Sequence, residues 1–124
     1  MTINELRIRE WVEALRSDRF SQTTCYLHQP GTPEYCALGV ACEISQLGDW
    51  DSDGYYTIFT EHDCTKISEI GDTVLPVPVA QYYGLNSCNP KLKYKELTEG
   101  ISQLNDDYRL SFKAIADLIE QQYL

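Results

Sequence analysis

Ala37-Leu38-Gly39-Val40-Ala41-Cys42-Glu43-Ile44 decides the fold of this chain. Nearly every residue in it is apolar, and in a helix Leu38, Cys42 and either Ala41 or Ser45 share one face. A helix that is apolar almost all round belongs inside a protein, so the run is read as a buried helix that Gly48 can end. Gly39 weakens its helix propensity but lets another backbone or a bulky side chain come close. Upstream, Leu6, Ile8, Trp11, Val12 and Leu15 recur mostly at helical spacing, which predicts a helix over 3–16 capped by Thr2 or Asn4. Cys25-Tyr26-Leu27 has the composition of a short strand, and the turn Gln29-Pro30-Gly31-Thr32-Pro33-Glu34 returns the chain as a hairpin ending near Tyr35-Cys36.

Downstream, the polar turn Asp49–Gly54 leads into a strand at Tyr55-Tyr56-Thr57-Ile58-Phe59-Thr60. The segment 61–72 reads either as a loop or as a single helical turn carrying Ile67 and Ile70. Leu75–Leu85 is a proline-started helix stopped by Gly84. A further helix is predicted from about Leu92 to Leu104, weakened by Gly100. The last helix starts at the cap Ser111, carries the stripe Phe112, Ile115, Ala116 and Ile119, and runs to about Tyr123. No repeat or linker divides the chain. The expectation is one α+β domain over 1–124, mostly helical, with a small antiparallel sheet or hairpins.

The chain has 124 residues and a formal net charge of −9, with 10 Lys and Arg against 19 Asp and Glu. Such a length is enough for a single core without disulfides. The acidic balance and the lack of a Lys/Arg cluster argue against nucleic-acid binding through a basic patch. No stretch has the roughly 20 apolar residues of a membrane span, and Glu5, Arg7, Arg9 and Glu10 interrupt any signal-peptide pattern. A cytoplasmic protein is expected, with its five cysteines as free thiols.

Four landmarks span most of the chain: Trp11-Val12-Glu13-Ala14-Leu15-Arg16-Ser17; Cys36-Ala37-Leu38-Gly39-Val40-Ala41-Cys42; Leu75-Pro76 with Tyr83-Gly84-Leu85; and Leu104-Asn105-Asp106-Asp107 leading to Ser111-Phe112 and Ile115-Ala116-Asp117. In this order they resemble a family of small accessory proteins of tailed bacteriophages and prophages. The resemblance implies action inside a bacterial cell, such as inhibiting a defence or redirecting host metabolism, and brings no catalytic residues with it.

Several constellations bear on chemistry. Asp49, Asp51, Asp53 and Gly54 match the first half of a calcium loop, with the Tyr55 carbonyl and Glu61 as further ligands. The second half departs from the pattern: Tyr56 stands where an aliphatic residue is usual, and Thr60 where a bidentate Glu belongs, with Glu61 one place late. A solvated turn is the competing reading. Cys25, His28, Cys36 and Cys42, or His62, Asp63 and Cys64, lack the close cysteine pairs of structural zinc sites and read as core thiols. A cysteine enzyme would pair Cys64 with His62 or His28, with Asp63 or Asp72 behind.

The strongest functional signal is nine tyrosines. In the pairs Tyr55-Tyr56 and Tyr82-Tyr83, one ring of each is expected to face the core and one to face out. With the acidic residues Asp49, Asp51, Asp53, Asp106 and Asp107, the exposed rings suggest a non-enzymatic binding protein with no cofactor, engaging a host protein or a small ligand.

Overall fold

A computed structural model describes residues 3–59, 67–71 and 73–124. Helix α1, Glu5–Arg16, starts where the Asn4 side chain accepts the Arg7 N–H at 3.2 Å. It buries Ile8, Trp11, Val12 and Leu15, while Leu6, expected on the same stripe, is exposed. Strand β1, Ser21–Gln22, runs parallel to β2, Glu34–Tyr35. Helix α2, Ala37–Ser45, follows at once, with the Cys36 sulfur accepting the Gly39 N–H. Strands β3 (Asp49–Trp50), β4 (Tyr56–Phe59) and β5 (Ile67–Gly71) form an antiparallel sheet in that order. Helix α3, Val77–Tyr83, is stopped by Gly84 at φ 74°. A hairpin of β6 (Lys91–Tyr94) and β7 (Leu97–Gly100) precedes α4, Ile101–Asp106, and α5, Phe112–Tyr123, closes the chain. Among the described residues this is a small, mostly helical α+β domain, and no described helix is long and apolar enough to cross a membrane.

Helix α2 is the centre of the core. Ala37, Leu38, Val40, Ala41 and Cys42 are all fully buried, and α1, α3, α4 and β2 pack around them. Two aromatic side chains fasten the helix by its own carbonyls: Trp11 Nε1–H donates to Ala37 O at 3.0 Å and Tyr83 Oη–H to Ala41 O at 2.6 Å. Their rings meet 5.5 Å apart. Both aromatics thereby bury their area without stranding a polar atom. Helix α5 packs along α1, and on the surface Arg16 pairs with Asp117 and Glu120.

The sequence reading fails in identifiable places. Residues 92–104 are not one helix. Lys91-Leu92-Lys93-Tyr94 alternates exposed and buried positions, as a strand does, and Lys95 turns the chain at φ 57°. The long helix also fails at Gly100, where a Cβ would lie 2.4 Å from Asn89 Nδ2. Asn89 accepts the Ser102 N–H at 2.9 Å and so caps α4 from outside the helix. The strand expected at 25–27 does not form, because Cys25 sits at φ 75°. The hairpin is instead carried by β2 and a single His28–Tyr35 bridge. Gln46, at φ 57°, ends α2 in place of Gly48, which lies against the Thr57 carbonyl. Ile67 and Ile70 fall in β5, and Asp49–Trp50 joins the sheet, shortening the polar turn to 51–54.

Candidate functional site

The turn between β3 and β4 is closed by one carboxylate. Asp51 Oδ1 accepts the backbone N–H groups of Asp53 and Tyr55, both at 2.9 Å. In the other direction, the Asp51 N–H donates to the Tyr55 carbonyl at 2.9 Å. Gly54 is held at φ 87°, and a Cβ there would stand 2.6 Å from His28 O and 3.1 Å from the Pro30 ring. Only glycine combines that backbone angle with so close an approach. The turn is therefore seated directly on the 28–30 loop, and a pocket of about 370 Å³ opens beside the junction. Its lining is Tyr26, His28, Gln29, Pro30, Asp53 and Tyr55.

His28 makes the rigid part of this pocket. It is 8% exposed; its ring stacks on Tyr35 with centroids 4.1 Å apart and meets Trp50 at 4.8 Å. Trp50 is pinned in turn, since its Nε1–H donates to Glu43 Oε2 at 3.2 Å. The His28 Nδ1 lies 3.0 Å from the Glu34 carbonyl oxygen. A carbonyl only accepts, so Nδ1 carries a proton, and whenever the ring is neutral the lone pair is on Nε2. Tyr26, 54% exposed, and Tyr55, 38% exposed, supply the aromatic rims, and the Asp53 carboxylate is exposed beside them. The pocket offers aromatic faces and hydrogen-bond acceptors.

Of the residues singled out by sequence, Tyr55, Asp53 and His28 come together here, whereas the sequence marks His28 as a metal or catalytic candidate and not as part of a binding surface. The Tyr55-Tyr56 pair divides between surface and core, whereas in Tyr82-Tyr83 neither ring is fully exposed. Tyr56, a binding candidate, is 1% exposed and belongs to the core: its Oη accepts the Gly48 N–H at 2.7 Å and lies 3.4 Å from Ser45 Oγ. Tyr83 is likewise buried against α2. Tyr82 is half-buried and already covered, with the Arg7 guanidinium 4.0 Å over its ring. Asp106 Oδ1 accepts from Asn105, and Asp107 is exposed past the end of α4; neither lines the pocket. Tyr56→Phe is accordingly expected to cost about 1–2 kcal/mol through the stranded Gly48 N–H, whereas Tyr55→Ala stays within about 0.5 kcal/mol. Urea unfolding of the two variants checks the contrast, and equal losses would contradict it.

Asp49 lies in β3, where its carbonyl accepts the Thr57 hydroxyl, and the Asp51 carboxylate is engaged by the backbone N–H groups of Asp53 and Tyr55. Glu61, His62, Asp63, Cys64 and Asp72 lie outside the described residues. Among the described residues, no three His, Cys, Asp or Glu side chains gather as a metal set. Cys36 and Cys42 are buried as expected, whereas Cys25 is exposed and Cys88 half-buried. Burial pushes the Cys36 thiol from an ordinary 9.0 up to about 12, and raises Cys42 well above its ordinary value. Both are protonated at neutral pH and unsuited to attack as thiolates. The unfolded chain ionises first, so the stability held below pH 9 is lost as pH rises toward 12. The melting temperature is expected to fall over that window, and Cys36→Ala to flatten the fall.

Sequence reasoning missed Tyr26 and His28 as partners of the turn. The composition marked Tyr26 as aromatic, but no local pattern links residues 26–30 with 51–55; the link is the Gly54 contact. By fold and site this is a small acidic α+β domain with an aromatic-rimmed surface pocket. The chain belongs to the family described as a domain of unknown function, DUF8296, whose model matches residues 4–123. Neither a curated protein nor a solved structure matches it.

Proposed function

We propose that the domain is a non-enzymatic binding protein, of the phage-accessory kind its landmarks resemble, and that it recognises a basic partner protein through the Tyr26–Tyr55 pocket. The observation that carries this reading is the placement of two exposed tyrosines over a preformed floor. Tyr26 and Tyr55 share one pocket with the rigidly stacked His28. Aromatic rims lose little conformational entropy when a partner docks, and a fixed floor reduces the ordering cost further. The net charge of −9 favours encounter with a basic surface.

Selection of a random peptide library on the immobilised protein tests the reading, with the Tyr26→Ala/Tyr55→Ala double variant as counter-target. Both tyrosines are exposed, so the double variant is expected to fold. Sequences that bind the wild type and lose at least about tenfold in affinity for the variant are the expected result. Failure to enrich any sequence, or enrichment of sequences that bind both proteins equally, would defeat the proposal.

A further inference from the structure

We infer that the Tyr26–Tyr55 pocket receives the guanidinium of an arginine side chain presented by the partner; this rests on the reading of that pocket as the recognition surface. The chemistry of the lining selects the ligand. Its charged side chain is the Asp53 carboxylate, and neither Lys nor Arg lines it. An anionic group would meet Asp53 with nothing to neutralise it, in a chain already carrying −9. A wholly apolar group would leave the polar side chains of His28, Gln29 and Asp53 facing carbon.

A donor-rich cation satisfies each of these groups. His28 Nδ1–H is committed to the Glu34 carbonyl, so the ring nitrogen left for a ligand is Nε2, which accepts when the imidazole is neutral, on a side chain more than nine-tenths buried. Asp53 contributes an exposed carboxylate on a backbone fixed by its N–H bond to Asp51. Tyr26 and Tyr55 contribute π faces, which attract a cation placed over them. Arginine fits this set better than lysine. Its guanidinium is planar, stacks on aromatic rings, and points five N–H donors in fixed directions toward separated acceptors, whereas the ammonium is a compact and strongly hydrated point charge.

The test is an amide chemical-shift titration of the full chain with a Gly-Ser peptide carrying one arginine, beside peptides with lysine or the neutral isostere citrulline in its place. Saturable shifts confined to residues around 26–30 and 53–55 are expected with arginine, weaker ones with lysine, and none that saturate with citrulline. Asp53→Asn is expected to weaken the arginine peptide about tenfold, with the rest of its spectrum unchanged as evidence of folding; Tyr26→Ala serves as a second variant away from the turn. Equal binding of citrulline and arginine peptides overturns the inference. So does an arginine peptide that moves none of these amides while library-selected sequences still bind through Tyr26 and Tyr55, in which case the recognition surface stands with another ligand. If the library also yields nothing, both readings fall together.

Discussion

Gly39→Ala is expected to cost at least about 3 kcal/mol, although alanine is favoured over glycine within a helix by about 1 kcal/mol. The reason is a backbone contact. A Cβ on Gly39 would stand 1.8 Å from the Leu27 carbonyl oxygen, 2.7 Å from its carbon and 3.2 Å from its Cα. No rotamer change relieves a clash with main chain, so either α2 or the 27–30 segment has to move. Both are held: the Leu27 carbonyl also accepts the Cys36 N–H at 3.0 Å, and Leu27 and the face of α2 against it are fully buried. Urea unfolding followed by tryptophan fluorescence checks the loss. A variant as stable as the parent would show that α2 and Leu27 do not approach so closely. Because His28 follows Leu27 directly and Pro30 comes two residues after His28, any surviving folded Gly39→Ala protein is also expected to show shifted amides around the Tyr26–Tyr55 pocket.

Asn105→Ala is expected to cost about 3 kcal/mol by a different mechanism. Asn105 is fully buried and uses its whole amide. Its Oδ1 accepts from Gln22 Nε2 at 2.9 Å and from the Ala37 N–H at 3.2 Å, while its Nδ2 donates to Thr23 O and Asp106 Oδ1, both at 2.8 Å. Gln22 extends the network, donating to Leu110 O at 2.7 Å and accepting the Phe112 N–H at 3.2 Å. These two amides join β1, the start of α2, the end of α4 and the start of α5. Truncation at Asn105 leaves the buried Ala37 N–H and the partly buried Thr23 carbonyl without these partners, and a stranded buried group costs about 1–3 kcal/mol. Paired with Gln22→Ala in a double-mutant cycle, the two losses should be non-additive by about 1 kcal/mol or more. Strict additivity would mean that the amides act independently.

The elements legible in the sequence are those whose signal is local. In α1 and α5 a cap residue and a 3.6-residue stripe suffice, and Asn4 and Ser111 cap as their types suggest. Pro76 and Gly84 bracket α3 for equally local reasons, one fixing φ and the other taking a positive value. The β6–β7 hairpin was not legible because Lys95 occupies a left-handed turn position with no glycine to announce it, and Gly100 reads as a weak helix residue until Asn89 is seen above it.

The candidate site divides the same way. At Tyr55-Tyr56 the alternation of an extended chain turns one ring inward and one outward, whereas on a helix the rings of Tyr82-Tyr83 stand only about 100° apart, which leaves Tyr82 half-buried. Sequence also determines the buried character of α2, because a run so uniformly apolar has no stable place in water. Which tyrosine turns inward was decided by tertiary structure: Tyr56 finds the Gly48 N–H and Tyr83 the Ala41 carbonyl, partners that exist only once α2 is packed. The assembly of Tyr26, His28, Asp53 and Tyr55 into one pocket is likewise tertiary. It depends on Gly54 meeting His28 across 26 residues of chain, a contact no periodicity encodes because it arises from the close approach of two backbones.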